Sequence, residues 1–166
     1  MKRMWSRNEI KKQVQEAASS GELQDVKIFE DIVDKDGHKR FVDGDVSLSE
    51  RFTEGIEKVY GKWSLSGTHL MIVLAVNITG GTAITFGDLG SVVDMPQWVK
   101  DKIIPSISNY VEVKTAVSLK SDLSSGGNIS YYLRKQGDNV FMSIASITPT
   151  ADVYARFTFD LLIDSN

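Results

Sequence analysis

The final third of the chain alternates apolar and polar residues with a period of two. That restricts it to paired strands with one buried face. Val153, Ala155, Phe157, Phe159, Leu161 and Ile163 fall on one side, and Tyr154, Arg156, Thr158 and Asp160 on the other. Ile129, Tyr131 and Leu133 alternate with Ser130, Tyr132 and Arg134. Beyond Gln136-Gly137-Asp138-Asn139 the pattern resumes, with Val140, Met142 and Ile144 against Phe141, Ser143 and Ala145. Two such runs about a tight turn predict a hairpin. Residues 110–119 make another strand, with Val111, Val113, Thr115 and Val117 on one face, before a Ser/Gly loop over 122–128.

Upstream, residues 70–76 are apolar on both faces. A central strand covered by two sheet layers, or by another subunit, reads this way. Residues 63–68 alternate ahead of it, Thr79-Gly80-Gly81-Thr82 is a turn, and residues 83–86 form a short strand. Residues 24–33 and 39–42 read as a hairpin around Asp34-Lys35-Asp36-Gly37. Asp43-Gly44-Asp45 makes a second turn, and residues 46–60 a strand that passes into an irregular segment. A short helix over 94–104 has Asp94 as cap and Gln97 at N3, with Pro96 in its first turn. It buries Trp98 on a face shared with Met95, Val99 and Ile103, and ends at Ile104-Pro105.

The strongest helix start lies at the N-terminus. Ser6 and Glu9 form a capping box, Trp5 and Ile10 a hydrophobic staple, and Gly21 is a natural C′ residue. Ile10, Val14 and Ala17 make a narrow apolar stripe, suited to docking on a neighbour or to opening a coiled coil. The chain therefore divides into a helical segment, 1–21, for oligomerisation or docking, and a head domain, 22–166. With turn signals about every ten residues, the fold class is mainly β. We expect a jelly-roll-like antiparallel β-sandwich of about eight or nine strands, with the N-terminal helix and one short helix near 94–104.

Little catalytic chemistry is visible. The 166 residues contain no Cys and two His, so thiolate metal sites and cysteine nucleophiles are excluded. His38 lies beside a turn and His69 precedes the most apolar strand, neither with a second ligand at metal spacing. Taking Asp34 as the first position of a calcium loop puts Gly37 fourth, Lys39 sixth and Asp45 twelfth, and the pattern fails. Asp88, Asp94, Glu112, Asp122, Asp138, Asp152 and Asp160 lie at turns, caps or outward positions, with no pair singled out for acid–base work. No cofactor is expected. A net charge of −3 argues against nucleic acid held by bulk charge. Membrane insertion is not expected either, since residues 70–76 are the longest apolar run and a spanning helix needs roughly 20 residues. The basic start, Met1-Lys2-Arg3, leads into no apolar stretch, so no secretory signal is read.

Aromatic residues remain as binding candidates. Tyr131 and Tyr132 are adjacent and must face opposite ways. One packs inside, while the other is exposed, lies in a subunit contact, or stacks on a sugar ring. Tyr154, on the polar face of the last strand, has the same choice. Tyr132 and Tyr154 are thus the candidate binding residues, and Ile10, Val14 and Ala17 the candidate oligomer interface.

Three stretches resemble small fibre, baseplate or tail-appendage proteins of bacteriophages. They are Met4-Trp5-Ser6-Arg7-Asn8-Glu9-Ile10, the Met95-Pro96-Gln97-Trp98 helix ending at Ile104-Pro105, and the run from Asn128 through Phe159 to Ile163. The resemblance implies an N-terminal helical segment joined to a compact β head. It also implies assembly as a trimer, other virion proteins as partners, a place in the virion after synthesis in the host cytoplasm, and either decoration of the particle or binding to the host surface, where a glycan is a candidate partner. A trimer would give the helix stripe a partner and cover both faces of residues 70–76. The alternative is a stand-alone carbohydrate-binding β-sandwich module.

Overall fold

Backbone pairing organises the chain into antiparallel strands throughout the residues that the computed structural model describes, 36–52 and 54–163. They belong, from Arg40 on, to one contact-defined unit, Arg40–Asn166. The strands are β1 (Phe41–Leu48), β2 (Ile56–Ser66), β3 (His69–Ile78), β4 (Gly87–Val92), β5 (Tyr110–Leu119), β6 (Ser125–Gln136), β7 (Asn139–Ile144) and β8 (Val153–Leu162). A 3-10 turn, Glu50–Phe52, and one short helix, α1 (Gln97–Lys102), complete the described elements. The expected N-terminal helix, with Ile10, Val14 and Ala17, and the strand over 24–33 lie outside the described residues.

The strands close in the order β1-β2-β3-β8-β5-β6-β7-β4. Closure is uneven. β1 meets β4 only over residues 46–48 against 90–92, and β5 meets β8 at the single pair Leu119 and Tyr154. Two four-stranded sheets, β1-β2-β3-β8 and β5-β6-β7-β4, therefore face each other across two thin seams. The expected sandwich and a closed sheet are here the same object.

Inward-facing residues fill the space between the sheets. β3 contributes Leu70, Ile72, Leu74, Val76 and Ile78, β8 contributes Phe157 and Phe159, and β6 and β7 contribute Ile129, Leu133, Val140 and Met142, all buried. Tyr131 closes the β5–β8 seam from inside. Its hydroxyl donates to the Thr158 carbonyl at 3.0 Å and accepts from the Thr158 N–H at 3.3 Å. Its ring lies 5.0 Å from each of Phe157 and Phe159. On the outward side of β3, Val73 and Ala75 are also buried, with Tyr60 and Arg156 opposite Ala75 on the flanking strands.

Several local expectations are corrected. Asp43-Gly44-Asp45 is not a turn but the middle of β1. Gly44 stands opposite Trp63, and a Cβ there would overlap the indole, whose Nε1 donates to the Val93 carbonyl at 2.7 Å. The glycine serves a close approach, not a bend. The short strand expected over 83–86 reduces to a bridge between Ile84 and Ile147, and β4 follows it instead. In α1, Asp94 sits at φ +56° and Pro96 takes the N-cap position without a side-chain cap. Met95, Val99 and Ile103 are buried as expected, but Trp98 is only half-buried, with the Lys102 ammonium 5.7 Å from its ring centroid.

β5 departs furthest. A bulge between Tyr110 and Glu112 separates Val111, which packs against the core, from Val113 and Val117, which face outward. Glu112, expected outward, stands opposite buried Leu133, and Lys114 opposite buried Tyr131. The two form an ion pair of 3.3 Å on the inner side, with the Lys114 ammonium 5.5 Å from the Phe159 ring centroid.

Two substitutions test these supports by urea denaturation. Tyr131→Phe strips both Thr158 backbone groups of their partner and should cost about 1–3 kcal/mol. Gly44→Ala forces the Trp63 indole to shift and should cost roughly 1–3 kcal/mol, with a change in tryptophan emission.

Candidate binding surfaces around Tyr154 and Tyr132

The first surface follows from register. Glu57 pairs with Asn77, Asn77 with Tyr154, and Tyr154 with Leu119, so one lateral row crosses β2, β3, β8 and β5. Side chains in such a row share a face. This row floors a cleft of about 350 Å³, to which the loop after β5 adds Lys120 and Ser121, and the start of β8 adds Asp152. Asn77 Nδ2 donates to Glu57 Oε2 at 3.3 Å. Asp152 Oδ1 accepts the Gly80 N–H at 2.8 Å and so ties the β3–β4 loop to the cleft wall. Tyr154 is 37% exposed, an aromatic surface beside carboxylates, an amide and an ammonium.

Electrostatics at the rim are local. In the loop next to the cleft, the Ser124 hydroxyl and backbone N–H hold the Asp122 carboxyl below the usual carboxylate range. The N–H bond is 2.9 Å long. A carboxyl whose folded value is depressed stabilises the loop above the ordinary carboxylate value, and that contribution is lost as pH falls through the depressed one.

The second surface lies on the outer face of the other sheet. Tyr132 stands between Val113 on β5 and Ser143 on β7, and Ser143 in turn pairs with Asp88 on β4. Its ring meets Phe86 and Tyr110 edge-on, with centroids at 5.7 and 5.6 Å. Arg134 bonds Asp88 Oδ1 at 2.9 Å, and the Ser143 hydroxyl bonds the same oxygen. The Arg134 guanidinium also lies 5.4 Å from the Tyr110 centroid. Tyr132 is thus locked into an aromatic group, whereas Tyr154 is open.

The structure does not bring the two tyrosines together, since they sit on outer faces of different sheets. His69 approaches one carboxylate, Asp160, at 3.4 Å. Among the described residues no group of three or more His, Cys, Asp or Glu is arranged to hold a metal ion. No helix among them is long and apolar enough to cross a membrane. Sequence reasoning missed Glu57, Asn77, Lys120 and Asp152 as companions of Tyr154. Of these, the sequence named Asp152 alone, as one outward carboxylate among several.

No protein-family model and no curated protein matches the sequence. Solved structures similar to it include three viral proteins. The distal domain of the mouse adenovirus 2 fibre aligns at 13% identity and TM-score 0.42, covering 80% of this chain and 84% of that one. A reovirus attachment protein, sigma1, in complex with α-2,3-sialyllactose, aligns at 10% identity and TM-score 0.37, covering 74% and 64%. The bovine atadenovirus type 4 fibre head aligns at 11% identity and TM-score 0.29, covering 63% and 96%. None of these assigns a residue or a ligand to this chain.

The two tyrosines should separate by stability. Tyr132→Ala unpacks Phe86 and Tyr110 and should lower unfolding free energy by roughly 1–3 kcal/mol, whereas Tyr154→Ala should cost less than about 1 kcal/mol in the same denaturant titration.

Proposed function

We infer that the chain is a non-enzymatic virion structural protein of a bacteriophage, a fibre, head or tail appendage that is trimeric and contributes to host-surface attachment. The observation that carries the attachment reading is the row Glu57–Asn77–Tyr154 flooring an open cleft. A tyrosine face offers apolar surface to the C–H face of a pyranose ring, and its polar neighbours suit ring hydroxyls. Glu57 and Asp152 accept hydrogen bonds, Lys120 donates, and Asn77 does both. Two carboxylates against one ammonium favour a neutral or amino sugar over an acidic one. The N-terminal segment, 1–21, with Ile10, Val14 and Ala17 as its stripe, is assigned to trimerisation, and the head, 22–166, to display. The resemblance of the opening residues and of the 128–163 run to phage appendage proteins supports this assignment.

The same cleft fits the second reading, a stand-alone carbohydrate-binding module, which differs in needing no oligomer. Light scattering on the full chain separates them. The fibre reading expects a stable trimer of the 18.4 kDa chain, and a clean monomer at micromolar concentration sinks it. On a glycan array, Tyr154→Ala should lose at least about tenfold in signal, equivalent to roughly 1.4 kcal/mol, with unchanged circular dichroism showing that the variant is folded. Unchanged binding by Tyr154→Ala would remove the cleft from the mechanism.

A further inference from the structure

The outward side of β5 reverses the ordinary rule for a sandwich strand. Val113 is 59% exposed, Val117 55% and Leu119 36%, with Thr115 exposed between them. The opposite side of the same strand turns Glu112 and Lys114 toward the interior. Moving a strand by one residue exchanges its two faces completely. Such a move would put the valines inside and the charges in water, removing two unfavourable terms at once. Instead, bulges at Tyr110/Glu112 and at Ser118/Leu119 bracket the strand and hold the inverted register. The arrangement leaves Glu112 Oε2 buried with no hydrogen-bond partner. A lone head therefore carries both a half-buried ion pair and a stripe of β-branched side chains in solvent. Covering the stripe removes the second of these from solvent and so repays part of the cost of the inverted register.

We propose that the outward face of β5, Val113, Thr115 and Val117 with Tyr132 beside them, is where a second copy of this chain packs. Charge selects the occupant. The residues opposite on β6 are Tyr132, Ser130 and Asn128, so the stretch facing the stripe carries no charge in a chain of net charge −3, and Arg134 at its end is neutralised by Asp88. A charged partner would be met by complementary charge, and here the strand's two charges point the other way. Copies that each carry net negative charge meet best where no like charges oppose. Leu119 stands opposite Tyr154, so the stripe runs to the rim of the Tyr154 cleft and places that cleft at the edge of the contact. This inference supplies a surface for the self-association assumed above and rests on that reading.

The sequence contains no Cys, so Val113→Cys and Val117→Cys each introduce a single thiol. In the full chain at micromolar concentration, both should react with a maleimide at least about tenfold more slowly than Ser121→Cys in the exposed loop, and the protection should vanish on dilution. The double variant Val113→Lys/Val117→Lys should shift the light-scattering mass down to that of one chain. Labelling of both thiols at the Ser121→Cys rate overturns the proposal, as does an oligomer whose mass ignores the lysines. If the lysine variant loses its circular dichroism, the thiol rates decide alone. A wild-type monomer at every concentration overturns this surface and the trimer together. An oligomer that survives the lysines but dissociates with Val14→Glu overturns the surface and leaves the trimer standing.

Discussion

Two sheets that share one residue pair along a whole seam need another tie, and the Tyr131 hydroxyl is that tie. It replaces a strand neighbour for both backbone groups of Thr158, which a β5 running alongside β8 would otherwise satisfy. Leaving a desolvated N–H and carbonyl unpaired carries a penalty comparable to a lost hydrogen bond each. Because the phenol reaches across from β6, β5 is free to diverge from β8 below Leu119. That freedom permits its bulges and its inverted face. The packing of Phe157 and Phe159 against the same ring makes the tie part of the core and not an ornament on it.

Around this seam the two sheets separate their residues by face. The inner faces hold most of the buried apolar residues, with the Glu112–Lys114 pair and Ser118 as polar members on β5. The outer face of β2-β3-β8 carries the polar row at Tyr154, while the outer face of β5-β6 carries valines and an interlocked aromatic trio. The Arg134–Asp88–Ser143 group sits next to that trio and fixes β4 to β6 across β7. The surfaces proposed for recognition and for assembly thus adjoin and meet at Leu119.

Where one face is apolar and the other polar, the sequence is legible down to single residues. β8, the β6–β7 hairpin and the bounds of β5 follow from alternation alone. Alternation says which residues share a face, though not which way that face looks, and bulges change the answer mid-strand. Hence Val113, Thr115 and Val117 were identifiable as a set, while their outward direction and the separation of Val111 from them by a bulge were not. Gly44 misled for a related reason, since a glycine that admits a neighbouring side chain looks in sequence like one that bends the chain. The candidate cleft was half visible. Tyr154 stood out as an aromatic on a polar face, but Glu57 and Asn77 join it only through the register of three strands, which no local pattern encodes.

The contact between Gly44 and Trp63 has a consequence for how this head can vary. Any side chain at position 44 competes for the volume of the indole, and a smaller residue at 63 would empty it. The Val93 carbonyl, which the indole also serves, adds a third party to the arrangement. Positions 44 and 63 therefore change together or not at all. In a set of homologues they should appear as a linked pair, glycine with tryptophan, even where the outer faces have drifted.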